Sequence, residues 1–289
     1  MSNRARVRFN LSILFFIPLI LILLITCIFP VNADARNNSS GNIGIGEHTG
    51  AHSNNYTSNR NRNTIDNLYY VAAGDIKSYP SFLLKNKDYV LGFAAILGSS
   101  FLLDRGMHAY MVHHQNNAAS FASNTVYPFG KPYYTFPAAG LFSLYGYYTK
   151  NIKLMNASFT SMESGLAAGV IAEAIKVTAG RERPYGTNNP FEFKPFNIKN
   201  KYNSFPSGDA TIAWSMVTPY AVYYKQPLLY LIPAAVDAER VYKNKHWLSD
   251  TVMGSAIGFS IGYLFSNNHI SKDITFNSSG NNILINVKF

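Results

Sequence analysis

KVTAGRERP, residues 176–184, is the stretch from which the fold of this 289-residue chain is best predicted. Two later stretches belong with it: FPSGDA (205–210) and RVYKNKHWLSD (240–250). The three stretches supply cations, a Ser-Gly turn, a histidine and carboxylates, none of which a hydrophobic core requires. Residues of these types are what a site for phosphoryl transfer needs. We therefore expect the fold to hold the three stretches against one phosphate group.

The first stretch places two cations around the end of a predicted helix. Lys176 ends an Ala-rich segment, and Arg183 precedes Pro184. Arginine offers a planar fork to phosphate oxygens and lysine a compact charge, while a following proline pushes Arg183 out of the helical region. Taken alone, a basic helix end that offsets its own dipole explains this stretch better than a binding site does.

The second stretch predicts a helix N-terminus. Pro206, Ser207 and Gly208 precede a helix that is expected to begin near Asp209. Free amide groups at such an end, with the Ser207 hydroxyl, form an anion site. An ordinary N-cap by Ser207 or Asp209 explains the same residues equally well.

The third stretch pairs a histidine with a carboxylate. His246 and Asp250 are four residues apart and share one face of a helix. A carboxylate bound to one ring nitrogen fixes the tautomer and leaves the other nitrogen free as a nucleophile. Arg240 lies just upstream. Because a lone His–Asp pair is more often a structural hydrogen bond, only the three stretches together predict a reactive site.

In their order and spacing the three stretches resemble the signature of the type 2 phosphatidic acid phosphatase (PAP2) superfamily. That superfamily includes bacterial class A acid phosphatases, lipid phosphate phosphatases and vanadium haloperoxidases. Its signature reads K-x6-R-P, then P-S-G-H, then S-R-x5-H-x3-D. Residues 176–184 match the first part fully, and Arg240, His246 and Asp250 match the charged positions of the third. The resemblance covers roughly residues 65–265 and implies an all-α helical bundle that needs no metal or other cofactor.

The resemblance also implies roles for individual residues. His246 would attack phosphorus to give a phosphohistidine, and Asp250 would orient its ring. Binding of the phosphate oxygens would fall to Lys176, Arg183, Ser207, Gly208 and Arg240.

Two positions depart from the signature. Glu239 stands where the signature has serine, which we expect to be a tolerable change away from the phosphate. Asp209 stands where it has the histidine that protonates the leaving alkoxide. Loss of a positioned general acid typically costs about 10²–10⁴-fold in rate, and neighbouring cations are expected to keep Asp209 ionised. Asp209 is therefore the candidate catalytic acid, and a weak one.

The resulting hypothesis is an exported phosphatase that hydrolyses a phosphomonoester or a lipid phosphate. Two alternatives stay open: a vanadate-dependent haloperoxidase built on the same oxyanion cage, and a non-catalytic binder of phosphate or lipid phosphate. The expected partners are the substrate and a membrane surface. A nucleic acid is not expected, because the net charge of +10 is scattered rather than gathered in runs.

The N-terminus predicts export. A basic start is followed by the apolar residues 11–29 and by Val31-Asn32-Ala33, which suits cleavage before Asp34. An uncleaved anchor is the alternative, because the apolar run is long enough to span a bilayer. The expected location is the periplasm or another extracytoplasmic site, with membrane association open. The single cysteine, Cys27, lies in this run, so the chain cannot form an internal disulfide.

The composition predicts four regions: a signal peptide at 1–33, a disordered Asn/Ser-rich linker at 34–64, a phosphatase domain at 65–268 and a β-hairpin at 269–289. In the last helix, Gly254, Gly258 and Gly262 recur every four residues and predict close approach of another helix. Seven helices are predicted, at 89–103, 105–114, 135–148, 155–178, 210–224, 228–242 and 247–265.

Overall fold

The computed structural model describes residues 64–271, 275–279 and 282–286. The predicted signal peptide lies outside these residues, and so does the predicted linker apart from Thr64, the first residue of the first helix. Both regions stay predictions.

Eight α-helices and one small antiparallel sheet make up the described residues, so the predicted all-α class is confirmed. The two strands pair with Phe276 opposite Ile285, which agrees with the predicted C-terminal hairpin. The helices are α1 (Thr64–Lys85), α2 (Lys87–His113), α3 (Asn117–Val126), α4 (Pro132–Tyr148), α5 (Ile152–Ala179), α6 (Gly208–Tyr224), α7 (Leu231–Tyr242) and α8 (Leu248–Ser271), and the strands are β1 (Thr275–Ser279) and β2 (Asn282–Asn286).

Five predicted helices overlap α4 to α8, whereas the N-terminal part differs. Helix α8 continues to Ser271, past its predicted end at 265 and into the region predicted as the hairpin. The predicted helices 89–103 and 105–114 form one continuous helix, α2. The polar Asp104 does not interrupt it, because its carboxylate is buried and paired with Arg181. Helices α1 and α3 were not predicted. Helix α3 is rich in Asn and Ser and begins at an N-cap, where the Asn116 side chain accepts a hydrogen bond from the amide of Ala119 at 2.8 Å.

The closest helix pair is α6 against α8. An added Cβ at Gly254 would lie 2.5 Å from the carbonyl oxygen of Ser207, and one at Gly258 would lie 2.4 Å from that of Thr211. Side chains do not fit at such distances, so the glycines allow the two backbones to touch. The predicted close approach is confirmed, and it fixes the start of α6 beside the start of α8.

A cluster of buried rings stabilises the same helix pair. Trp214 of α6 stacks on Tyr230 with ring centroids 5.6 Å apart, and Phe259 of α8 meets both rings edge-on. All three are at most 4% exposed. Burial of a large apolar side chain contributes about 2–3 kcal/mol, so this cluster helps to hold α6, α7 and α8 in one arrangement.

Helix α4 exposes several apolar side chains. Leu141 is 66% exposed, Leu144 56% and Tyr145 61%. Contiguous apolar surface of this kind is typical of a contact with a membrane or a partner. Among the described residues, α2 is the helix whose length and composition would let it cross a membrane, and few of its residues are buried.

Candidate active site

One cavity of about 470 Å³ collects the residues that the three sequence stretches predicted. Six of the eight predicted site residues line it: Lys176, Arg183, Gly208, Asp209, Arg240 and His246. The other two, Ser207 and Asp250, are fully buried next to lining residues. The wall therefore draws on the end of α5, the start of α6, the end of α7 and the turn before α8.

Lys176 reaches the cavity from the last turn of α5. The helix ends at Gly180, whose φ of +61° is the left-handed conformation that favours glycine. An added Cβ there would lie 1.9 Å from the carbonyl oxygen of Lys194, so the chain can only turn at this point with glycine. The Lys176 ammonium is largely buried and donates to the carboxylate of Glu173, one turn earlier.

Arg183 is held by backbone carbonyl groups. Its Nε donates to the carbonyl oxygen of Asn200 at 3.1 Å, and its Nη2 donates to that of Asn203 at 3.2 Å. Burial lowers the pKa of Arg183 below its ordinary value, although nearby Tyr185 and Asp250 oppose the shift. Carbonyl groups fix the direction of the guanidinium without neutralising its charge, which leaves that charge available to an anion.

The start of α6 brings a helix N-terminus into the same cavity. Ser207 caps the helix, because its hydroxyl oxygen accepts a hydrogen bond from the amide of Ala210 at 3.4 Å. An added Cβ at Gly208 would lie 2.6 Å from the Lys176 Nζ. Glycine thus lets the ammonium approach the free amides of the first turn, and together they form an anion site. The N-cap role of Ser207 is observed, whereas phosphate binding by its hydroxyl stays a prediction.

The histidine tautomer follows from one hydrogen bond. The Nδ1 of His246 lies 2.8 Å from the carbonyl oxygen of Ser204. A carbonyl oxygen can only accept, so Nδ1 carries the proton and Nε2 keeps its lone pair. The carboxylate of Asp250, which the sequence predicted as the orienting partner, lies 3.5 Å from the same Nδ1. The Ser204 carbonyl is therefore the nearer of the two groups that orient the ring.

Asp250 is held in turn by a buried network. Its carboxylate accepts from Arg181 Nη1 at 2.7 Å, from the amide of Trp247 at 2.8 Å and from the Ser204 hydroxyl. Burial alone would raise the pKa of Asp250, but the Arg181 guanidinium and these donors bring the pKa below its ordinary value. Asp250 therefore stays ionised behind the histidine.

Sequence reasoning missed Arg181 and its second partner, Asp104. The Arg181 Nη2 donates to Asp104 Oδ2 at 2.7 Å, and both side chains are fully buried. Asp104 also accepts from the backbone amide of Ser249 at 2.8 Å, at the start of α8. A carboxylate inside the apolar run of α2 was the available signal, since buried charges need partners.

Burial, together with the charge of Arg183, keeps the ring of His246 neutral. Burial lowers the pKa of His246 below the ordinary value and the Arg183 charge adds to this, against the opposing effect of Asp250. A neutral ring with a free Nε2 is the form that can attack phosphorus.

Arg240 is already paired on two sides. Its Nε and Nη2 donate to the carboxylate of Glu239, and its Nη1 donates to Asp209 Oδ2. Glu239, which the sequence analysis placed away from the phosphate, binds the Arg240 guanidinium and also lines the cavity. A carboxylate beside the guanidinium fork can accept from it bidentately, and the position of Glu239 relative to a bound phosphate stays a prediction.

Asp209 sits between two cations. Besides Arg240, the Nζ of Lys131 donates to Asp209 Oδ2 at 2.7 Å. Burial alone would raise the pKa of Asp209, but Arg240 and Lys131 lower it below the ordinary value, as expected from the sequence. Lys131 itself was missed, because it lies 78 residues before Asp209 and belongs to none of the three stretches.

Comparison with known proteins agrees with this site. Residues 157–272 match the sequence profile of the PAP2 superfamily. These residues, about two fifths of the chain, are therefore similar to the PAP2 superfamily. The match includes all eight predicted site residues and the whole of α6, α7 and the α7–α8 turn.

Curated proteins similar to this chain include lipid A 1-phosphatases from three bacteria. The protein of Rhizobium johnstonii is 32% identical over 104 residues, which are 35% of this chain and 41% of that protein. The protein of Porphyromonas gingivalis is 29% identical over 102 residues, 33% of this chain and 20% of that protein. The chain thus spans less than half the length of these relatives. A crystal structure of a transmembrane PAP2 type phosphatidylglycerolphosphate phosphatase from Bacillus subtilis aligns at 18% identity and a TM-score of 0.47, over 67% of this chain and 96% of that one.

Proposed function

We propose that this chain is an exported lipid phosphate phosphatase that works through a phosphohistidine at His246. The observation that carries the proposal is the convergence in one cavity of a neutral, directed imidazole with Lys176, Arg183 and Arg240. A nucleophile inside a cage of cations is what phosphoryl transfer requires, because most of its catalysis is positioning and charge stabilisation.

The first step transfers the phosphoryl group to the enzyme. The lone pair on His246 Nε2 forms a P–N bond while the bond from phosphorus to the leaving oxygen breaks. The three cations and the amides at the start of α6 hold the remaining phosphate oxygens. In the second step water attacks phosphorus, the P–N bond breaks, its electron pair returns to Nε2, and inorganic phosphate leaves.

The carboxylates of the cavity set the conditions for binding. Glu173 pairs with Lys176, and Glu239 and Asp209 pair with Arg240. A phosphate dianion must share these cations with the carboxylates or displace them. We infer that the site favours substrates carrying two negative charges over singly charged diesters.

A lipid substrate is supported by two observations. The curated relatives are lipid A 1-phosphatases. In addition, α4 starts directly after Lys131 at the cavity wall and carries exposed Tyr133 and Tyr134 in its first turn, followed by the apolar residues of its exposed surface. An apolar surface beside a polar phosphate site suits a substrate that presents its phosphate from a membrane surface. Residues 1–33 are proposed to direct the chain to the outer side of the cytoplasmic membrane.

The test is a phosphate-release assay on the purified full chain. The substrates are lipid A, phosphatidate and phosphatidylglycerol phosphate in mixed vesicles, with a soluble aryl phosphate as reference. We expect release from at least one lipid, and a phosphoenzyme that is labile in acid and absent from His246→Ala. The matched pair Arg183→Gln and Lys153→Met separates the site from general charge, because Lys153 is exposed on α5 and lies over the ring of Tyr224. Equal activity of those two variants would contradict the assigned cage.

The carboxylates also favour one alternative, a non-catalytic phosphate binder. Asp209 and Glu239 both occupy Arg240, and Asp209 is ionised where a leaving group would need a proton. Calorimetry with inorganic phosphate distinguishes the two functions. Binding without release from any substrate in the assay would favour the binder, whereas release with a trapped phosphohistidine would favour the enzyme.

A further inference from the structure

An alkoxide leaving group needs a proton, and Asp209 cannot supply it. The carboxylate of Asp209 accepts hydrogen bonds from both Lys131 and Arg240 through Oδ2. A carboxylate that accepts from two cations holds no proton to give. If the reaction proposed above takes place on alkyl esters, another group in the cavity must protonate the departing oxygen.

Lys131 is placed for this task. Its ammonium lies 2.7 Å from Asp209 Oδ2 and 4.9 Å from the centre of the Tyr127 ring, and its side chain is 18% exposed at the cavity wall. An ammonium has three N–H donors, and Asp209 takes one of them. The other two are available to a ligand in the cavity.

The backbone at Lys131 is also fixed. Its carbonyl oxygen accepts from the amides of Tyr134 and Thr135, both at 3.0 Å, and so begins α4. The Lys131 side chain starts from this fixed backbone and is held by the Asp209 carboxylate and the Tyr127 ring. It therefore has little freedom to leave the cavity. Catalytic proton donors need such positioning.

The other cations of the cavity suit a proton transfer less well. Lys243 also lines the cavity, but no carboxylate of the described residues pairs with its ammonium and positions it. Arginine does not release its proton in proteins, which excludes Arg183 and Arg240. Lys176 is engaged by Glu173 and lies against Gly208 at the anion site, where it binds phosphate oxygens. Lys245 is exposed and lies 5.3 Å from the ring of Tyr185.

We propose that Lys131 is the catalytic acid that protonates the leaving oxygen, and that Asp209 is the positioning residue that holds it there. This rests on the proposed phosphatase function. As the P–O bond breaks, the leaving oxygen takes a proton from Lys131 Nζ and departs as an alcohol, leaving a neutral amine. When water attacks the phosphohistidine, the amine takes one proton from that water, and the ammonium is restored for the next turnover. The lysine and the ionised aspartate thus carry out together what a single histidine could do.

Leaving-group dependence tests the proposal on the full-length protein. An alkyl phosphate needs protonation on departure, whereas p-nitrophenyl phosphate does not. For Lys131→Met we expect kcat/KM to fall about 100-fold or more on the alkyl ester, the size of a lost general acid, and much less on the aryl ester. Lys131→Arg keeps the charge next to Asp209 but holds its proton too tightly, so alkyl turnover should stay low while inhibition by inorganic phosphate stays near that of the parent. Asp209→Asn should show the same leaving-group dependence with a smaller loss.

Other outcomes would contradict the proposal or the function on which it rests. Equal losses on both esters in Lys131→Met, or recovery of alkyl turnover in Lys131→Arg, would overturn the role of Lys131 while leaving the phosphatase in place. A parent protein that hydrolyses neither these esters nor any lipid of the phosphate-release assay would overturn the proposed function and this inference with it. Lys153→Met serves as the folding and charge control, and its two rates should match those of the parent.

Discussion

Two buried histidines stand at opposite ends of α8, and the charged groups around them differ. His246, just before the helix, is 4% exposed and shares its cavity with Lys176, Arg183 and Arg240. His269, in the last turn, is fully buried, and its Nε2 lies 2.9 Å from Asp75 and 3.1 Å from Glu163. Burial lowers the pKa of both rings. The carboxylates nevertheless raise the pKa of His269 to about 9, whereas the pKa of His246 stays below its ordinary value.

The comparison shows that burial alone does not decide what a histidine does. Next to carboxylates the ring is a cation, and it ties α1, α5 and α8 together through Asp75, Glu163 and Thr160, whose hydroxyl lies 2.9 Å from His269 Nδ1. At His246, burial and the Arg183 charge outweigh the effect of Asp250, so the ring is neutral and keeps a lone pair. The first arrangement stabilises the contact between helices, and the second leaves the lone pair that the proposed nucleophile needs.

The largest expected effect is on activity, from removal of the nucleophile. His246→Ala should lower kcat on an aryl phosphate by about 10⁴-fold or more, because the covalent intermediate cannot form. His269→Ala is the matched control and should keep the parental rate below its own melting temperature. A His246→Ala protein with a tenth of the parental rate would show that the two histidines do not differ as described.

The next effect is on stability, at the other end of α8. Asp75→Asn leaves the His269 cation with one carboxylate, and breaking a buried ion pair costs about 3–5 kcal/mol. Urea unfolding measures this loss. Asp88→Asn, an exposed carboxylate at the start of α2, should stay within about 0.5 kcal/mol of the parent. If both variants unfold like the parent, the cluster around His269 does not stabilise the fold.

Much of the site could be predicted from sequence because its residues lie in three short stretches with fixed spacing. His246 and Asp250 are close in sequence, and Lys176 and Arg183 flank one helix end. The residues that were missed come from distant elements: Asp104 from α2, Lys131 from the start of α4, and Asp75 from α1. They meet the site or His269 only after packing, and spacing along the chain carries no information about such contacts.

The same reason explains which parts of the fold could be predicted from the sequence. The helices α4 to α8 have long apolar segments and were predicted, and the glycines of α8 correctly indicated close approach of another helix, which is α6. The sequence pattern was a poor guide where contacts between distant parts of the chain decide the helix bounds. The sequence analysis divided α2 at Asp104, whereas the helix is continuous and Arg181 pairs with this carboxylate inside the protein.

The third prediction concerns the pH dependence of stability. The folded-state pKa of His269, about 9, lies above its ordinary value of about 6.5. The stability that the cation provides is therefore complete below pH 6.5 and is lost as the pH rises through 9, a loss of about 3 kcal/mol. The free energy of unfolding of the parent minus that of His269→Gln should decrease between pH 6.5 and 9.

Asp237, with a pKa raised to about 8 by burial, also destabilises the fold as pH rises. Because Asp237 is present in both proteins, its contribution cancels in the difference. A difference that is flat between pH 6 and 9 would contradict a charged His269.

The smallest expected effect is a shift in the acid limb of activity. His246 must be neutral to attack, and because burial and Arg183 lower its pKa, the loss of kcat/KM on the acid side should lie below pH 6.5. The substrate phosphate titrates near pH 6 and could imitate this limb. Aryl phosphates with different second ionisation constants distinguish titration of His246 from titration of the substrate, because a limb that belongs to His246 does not follow the substrate.

Removing the charge of Arg183, as in Arg183→Gln, should move this limb to higher pH, since one of the two causes of the shift is then absent. A limb that stays in place would mean that burial alone keeps His246 neutral, and the contrast with His269 would then rest on the carboxylates of the far cluster and not on the cations of the cavity.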